Sequence, residues 1–498
     1  MEKIKVLQLG TTDWSQNYRM PEMAVWDHRE MFHKAPKKPY DLVFLDRAVQ
    51  KEEIKPLMQA VLPYTLFISS AVEWDSHTEY LAKCKKAKIL EEDQIETFLL
   101  EELRFFYRKP YGERFRNTNL AVAVDFQGDI QWHGGCYLSL NGEFGEKMSQ
   151  VAFWRNNIPL FKGLYLDLWL EYEKDPEVEI ELHIIQFVSG GSDVLQKWTF
   201  SEEELENVVT IGNEVVNGYI FVSLFAKGKG NLKIRTLHDR YSRKGHGHFL
   251  PGGERHVTSR REEFFSYFDP GDLKPPLCVY FSGYRQQEGF EGRNMMRRMN
   301  CPFLLMTDPR MEGGNYYMGS EEFESLLVRT IRRHMRELGF DSDQLIVSGI
   351  SMGSIGSMYY GSDLEPHALI LGKPVGNLGD IAANEKLVRP GVFPAALDVL
   401  MNVCGEADPS RVEQFNHRFW DKFDYADWSR TKIILSYLLE DDYDKNTYQM
   451  IISRLQSGGV QVYGKGIHGR HGDNTEYVVE WFISQYKKIL REDFGREI

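Results

Sequence analysis

The pentapeptide Gly349-Ile350-Ser351-Met352-Gly353 is the feature that most narrows what this chain can become. It follows Gln344-Leu345-Ile346-Val347-Ser348, a short buried-strand run, and precedes a helix-like stretch that reaches Tyr360. A serine at such a strand-to-helix turn sits in a sharp, often strained bend. The flanking glycines remove side chains that would collide there. A helix that begins at once turns its N-terminal amides toward any negative charge developing beside the serine. Alone the string is a weak signal; its setting raises it greatly.

The setting is a run of strands and helices over residues 263–498. Leu277 to Gly283, Pro302 to Asp308, Gln344 to Ser348, His367 to Leu371, Lys432 to Leu439 and Val460 to Gly464 read as strands. Glu321 to Leu338 and Asn474 to Leu490 have helical spacing. Strands alternating with helices predict a mostly parallel, doubly wound sheet. Residues 1–115 repeat the theme on a smaller scale, with apolar runs at Val6–Gly10, Asp41–Asp46 and Tyr64–Ser70. Gly10-Thr11-Thr12 lacks the further glycines of a dinucleotide loop, so a small Rossmann-like α/β scaffold is expected. Residues 116–262 change period to the alternation of half-buried strands, as in Leu164 to Tyr172 and Val178 to Ile184. That pattern predicts a β-sandwich-like segment, in which Trp132, Trp154 and Trp169 are candidates for stacking on sugar rings.

The partners of the serine follow in the order that an α/β-hydrolase requires, acid and then histidine. Glu440, Asp441 and Asp442 stand after the fifth strand, and His468 and His471 after the sixth. The histidine would take the serine proton and the acid would fix its tautomer. His471 is preferred because it lies just before the last helix. A strand-end G-x-x-D register points to Asp442, while Glu440 and Asp441 remain within reach. The loop Ser282-Gly283-Tyr284-Arg285 occupies the oxyanion-loop place, so amides of Gly283, Tyr284 and Met352 are the expected oxyanion hole. His246, His248 and His256 lack a nearby carboxylate or cysteine, so no metal is expected there and a Gly-rich interdomain turn is.

Composition excludes several classes. With 60 basic against 73 acidic residues and a net charge of −13, broad capture of nucleic acid is not expected. The five cysteines are scattered, without metal-site spacing, and are read as reduced thiols. The polar start is unlike a secretory signal, and no apolar run of about 18 residues marks a transmembrane helix. A cytoplasmic protein is expected.

Several strings carry a family resemblance covering most of the chain: Pro270–Pro276, Phe281–Tyr284 with Glu288–Gly292, Asp308-Pro309-Arg310, Gly349–Gly353 and Gly372-Lys373-Pro374. Together they resemble accessory secretory protein two of the accessory Sec system of Gram-positive bacteria. The resemblance implies a subunit needed for export of serine-rich repeat glycoproteins. It also implies O-acetylation of N-acetylglucosamine on them through a Ser-His-acid triad. Ser351 and His471 carry over directly. The family glutamate points to Glu440, and an ungapped register to Asp441. Implied partners are accessory secretory proteins one and three, the accessory SecA motor and the glycosylated adhesin. The implied place is cytoplasmic, with peripheral association at the inner face of the cell membrane as a variant. No bound cofactor is expected, and an acetyl donor of unspecified carrier is. A non-catalytic scaffold of the export complex and a carbohydrate esterase are the alternatives.

Overall fold

A computed structural model describes residues 3–387, 395–456 and 459–497. The first two residues of the polar start thus lie outside the described residues. Three sheets organise the chain. In the first, β1 (Ile4–Leu9), β2 (Ala24–Arg29), β3 (Leu42–Leu45), β4 (Leu66–Ser69) and β5 (Lys88–Leu90) are all parallel, in the order β2-β1-β3-β4-β5. Leu42–Leu45 and Leu66–Ser69 are buried throughout, which is why they read as unbroken apolar runs.

The middle layer is antiparallel. Its strands are β6 (Gly112–Phe115), β7 (Leu120–Val122), β8 (Asp129–His133), β9 (Tyr137–Trp154), β10 (Ile158–Leu160), β11 (Leu164–Lys174), β12 (Val178–Val188), β13 (Val194–Ser201), β14 (Val209–Asn213) and β15 (Gly218–Tyr241). These ten strands form one connected sheet. It becomes sandwich-like because β15 bends midway: its first half pairs with β12 and its second half with β11. The register slips around Gly228, whose φ of +94° suits glycine and whose Cβ would lie 2.0 Å from the Glu177 carbonyl. One apolar core, including Leu168, Leu182 and Leu224, fills the space between the halves. Trp154 belongs to it, fully buried with its indole N–H donating to the Phe115 carbonyl at 3.2 Å. Trp169 is buried beneath the guanidinium groups of Arg255 and Arg261. Neither can face a sugar, which corrects the expectation for both; Trp132 on β8 is 48% exposed and can.

The third sheet begins earlier than its sequence pattern suggested. β16 (Glu254–Val257) and β17 (Glu263–Asp269) form an antiparallel edge, so His256 lies on a strand and not in a turn. Its Nε2 lies 2.8 Å from Ser266 Oγ. Then β18 (Leu277–Phe281), β19 (Phe303–Thr307), β20 (Leu345–Ile350), β21 (Ala368–Gly372), β22 (Lys432–Leu438) and β23 (Val462–Ile467) run parallel in the order β19-β18-β20-β21-β22-β23. Helices cover both faces. The terminal helix Thr475–Glu492 sets Val478, Phe482, Tyr486 and Ile489 against the sheet at helical spacing. Tyr486 meets Ser348 of β20 at 2.5 Å between oxygens. β20, near the middle of the sheet, delivers Ser351.

Candidate active site

Ser351 joins β20 to the helix Met352–Leu364 with φ +55° and ψ −122°, a conformation disfavoured for any residue but glycine. Its surroundings leave little alternative. A Cβ at Gly349 would lie 2.2 Å from the Gly353 carbonyl, and one at Gly353 would lie 2.1 Å from that of Phe281. The Ser351 amide donates to the Gly372 carbonyl at 2.8 Å, and its carbonyl accepts from the Ser354 hydroxyl at 2.6 Å. Hydrogen bonds to its amide and its carbonyl thus hold the strained turn.

His471 lies between β23 and the terminal helix, 6% exposed. Its Nε2 is 2.8 Å from Ser351 Oγ and its Nδ1 is 2.9 Å from Asp441 Oδ2. An ionised carboxylate only accepts, so Nδ1 carries the proton and Nε2 is left to accept from the serine. Asp441 is buried, which works against its charge. The His471 hydrogen bond and charge, with the amides of Asp444 and Tyr443 at 3.1 and 2.8 Å, outweigh burial and hold the carboxyl below its usual range. Tyr443 stacks on the imidazole, ring centres 4.2 Å apart and nearly parallel. The His471 backbone is also tied: its N–H donates to Asp442 Oδ1 at 3.0 Å and its carbonyl accepts from Lys373 Nζ at 2.6 Å.

The three acids therefore have three positions. Asp441 reaches the imidazole, Asp442 holds the main chain, and Glu440 turns outward to His468 at 3.0 Å. The His468 side chain is 87% exposed and pairs with Glu440, outside the relay. The ungapped register, not the glutamate nor the G-x-x-D register, matches this geometry. Lys373 and Tyr443 were not singled out for this site by sequence reasoning. Gly372-Lys373-Pro374 did stand out as a string, and that was the only signal available.

The oxyanion loop needs a correction at Gly283. Its amide already donates to Glu291 Oε2 at 2.6 Å, and the Glu291 amide donates back to Ser282 Oγ at 3.2 Å, so the loop closes on itself. Met352 opens its helix, a position whose N–H has no intrahelical acceptor. The Tyr284 ring packs where a Cβ on Gly313 would collide. The same loop is pinned from the middle layer. Arg114 of β6 donates to the carbonyls of Arg285 and Gln286 at 2.7 and 2.8 Å. Glu288, fully enclosed, takes Arg240 Nε at 2.5 Å and lies 2.5 Å from His238 Nδ1. Glu171, His238 and Glu263 also converge within 4.8 Å. Two guanidinium groups, from Arg240 and Arg255, already neutralise Glu263, so the cluster reads as a balanced clamp and not a cation site.

A serine on a strained elbow, an acid after the next-to-last strand and a histidine after the last, on this sheet order, define an α/β-hydrolase-like protein. The chain belongs to the family of accessory secretory protein two: the family model described as "Accessory Sec system GspB-transporter" matches residues 4–496. The accessory Sec system protein of this family from Streptococcus gordonii is 36% identical, over 99% of both chains. That of Staphylococcus aureus (strain NCTC 8325 / PS 47) is 34% identical, over 99% of this chain and 98% of its own. The structure described as "Glycosylation Associate Protein (Gap123) complex from Streptococcus agalactiae" contains a chain similar over 100% of this one and 99% of its own. Its TM-score is 0.88, at 35% identity. Among the described residues no helix is long and apolar enough to cross a membrane.

Proposed function

We propose that this protein is a serine-dependent O-acetyltransferase that acylates N-acetylglucosamine on serine-rich repeat glycoproteins, and that it works as a subunit of the accessory Sec export system. The observation that carries the chemistry is the continuous relay Ser351–His471–Asp441, with hydrogen bonds of 2.8 and 2.9 Å at an enforced elbow. His471 Nε2 removes the Ser351 proton as Oγ attacks the acetyl carbonyl of the donor. The donor's leaving group departs with that proton, leaving an acetyl ester on Ser351. A sugar hydroxyl then gives its proton to His471 and attacks the ester; the sugar ester forms and Ser351 regains its proton. Asp441 stays ionised and stabilises the imidazolium. The Met352 amide, at the helix start, faces the developing oxyanion, with Tyr284 of the neighbouring loop as the second donor.

Family membership supports the export role, and the similar chain in the Gap123 complex supports work within a multi-protein assembly, for which accessory secretory proteins one and three are the proposed partners. The accessory SecA motor, a glycosylated adhesin as substrate and a cytoplasmic place complete this reading. Mass spectrometry of glycans on the exported adhesin tests it. Acetylated sugars are expected with wild type and their loss with Ser351→Ala; unchanged acetylation would overturn the catalytic assignment.

A further inference from the structure

Between the first α/β layer and the hydrolase-like sheet lies a cavity of about 520 Å³, positively charged in a molecule of net charge −13. Arg243 lines it although only 1% exposed. Its Nη atoms donate to the carbonyls of Phe105, Tyr107 and Phe249 at 2.9, 3.0 and 2.8 Å, and its Nε is buried without a partner. Arg293, Arg297 and Arg298 line the wall from the hydrolase-like layer, and Lys37 and Lys38 the wall from the first layer. Among the described residues no carboxylate forms a close ion pair with any of these six, although the buried Asp269 is near enough to Arg293 and Arg297 to offset part of their charge. Asp41 is the only acid lining the cavity, and Arg108 already bonds it.

Even with Asp269 behind the wall, the lining carries more cations than acids, and crowding like charges costs free energy unless an anion joins them. Burial pushes Arg243 down to about 10. Guanidinium forks match phosphate oxygens in pairs. The volume falls within the range of roughly 300–1,000 Å³ typical of small-molecule sites. A membrane or a nucleic acid would instead need an extended basic face. Charges from two facing walls exceed what one phosphate would neutralise.

We infer that this cavity binds a small molecule carrying two or more phosphate groups. Its source is either the phosphorylated carrier of the acyl donor or a separate phosphorylated ligand. The inference stands apart from the acetyl-transfer reading, because binding is measured without turnover. Isothermal titration calorimetry of the full chain with inorganic pyrophosphate and with coenzyme A tests it. Pyrophosphate should bind, more weakly as salt rises. The double variant Arg297→Ala/Arg298→Ala, exposed positions that leave the core intact, should bind at least about tenfold more weakly, as expected for a lost charged hydrogen bond. Lys37→Ala/Lys38→Ala, on the opposite wall, should weaken binding in the same direction. Coenzyme A binding at least about tenfold tighter than pyrophosphate, and displaced by it, assigns the site to the donor; pyrophosphate binding as tightly as coenzyme A assigns it to a separate ligand. No binding of either probe, or equal affinity in both double variants and wild type, overturns the inference.

Discussion

At the scale of single residues, the relay separates groups that a sequence string leaves side by side. Removing the nucleophile or the base of such a relay costs on the order of 10⁴- to 10⁶-fold in kcat, so Ser351→Ala and His471→Ala should abolish measurable acyl transfer. His468→Ala should weaken it far less, since His468 pairs with Glu440 in solvent. Asp441→Asn should lower kcat by on the order of 10⁴, because an amide that donates cannot fix the tautomer. Glu440→Gln and Asp442→Asn should each keep most of the activity. Steady-state kinetics on these variants decides the matter, and a severe loss at Glu440 with a mild one at Asp441 would reassign the acid. The Asp441 carboxyl also titrates below its ordinary value of 3.8. A depressed folded-state pKa adds stability that is complete above the unfolded value and disappears as pH falls through the folded one. Thermal melts below about pH 5 should therefore show a shallower acid decline in Asp441→Asn than in wild type.

At the scale of elements, two joints position the chemistry. The elbow depends on close backbone approach, so Gly353→Ala should destabilise the protein by about 1–3 kcal/mol or more, as overpacking does. A circular-dichroism melt unchanged from wild type would contradict the 2.1 Å approach. The second joint is the loop Ser282–Glu291, held by β6 through Arg114. Arg114→Ala should lower kcat by about 10²-fold with KM nearly constant, because a displaced donor is missed mainly in the transition state. Arg114→Lys should restore part of it. A purely structural arginine would change the melting temperature and leave the kcat of the folded fraction intact.

For the whole molecule, the clamp of Glu171, His238, Arg240, Glu263 and Glu288 joins the middle layer to the hydrolase-like sheet. Burial disfavours a charged His238, yet the Glu288 charge and the hydrogen bonds of Glu171 and Glu288 raise its pKa from 6.5 to about 9. A raised folded-state pKa adds stability that is complete below 6.5 and is lost as pH rises through about 9. Wild type should lose melting temperature across that interval, and His238→Gln should start lower and lose less. Parallel curves would remove His238 from the pH response. Assembly is a separate property of the surface. Ser351→Ala deletes one oxygen at a half-buried position, so it should still co-purify with accessory secretory proteins one and three while the adhesin is exported underacetylated. Loss of the complex with unchanged circular dichroism would show that chemistry and assembly are coupled.

Local pattern determined a good deal here. Continuous apolar runs mark strands buried on both faces, so the parallel strands β18 to β22 were legible, as was the elbow, whose glycines answer a steric demand carried by neighbouring residues. The order serine, acid, histidine was legible too, because topology fixes which strand ends meet at one edge. Choosing among Glu440, Asp441 and Asp442 was not: consecutive residues in a turn point in different directions, and only the folded backbone assigns one to the imidazole. The same holds for the Gly283 amide, taken by a glutamate eight residues away, and for the tryptophans, whose alternation on a strand does not say which face is inward. The clamp on Glu288 and the basic cavity are wholly tertiary. Their members lie tens to hundreds of residues apart, and a charge's partners are set by distance in space, of which sequence spacing carries no record.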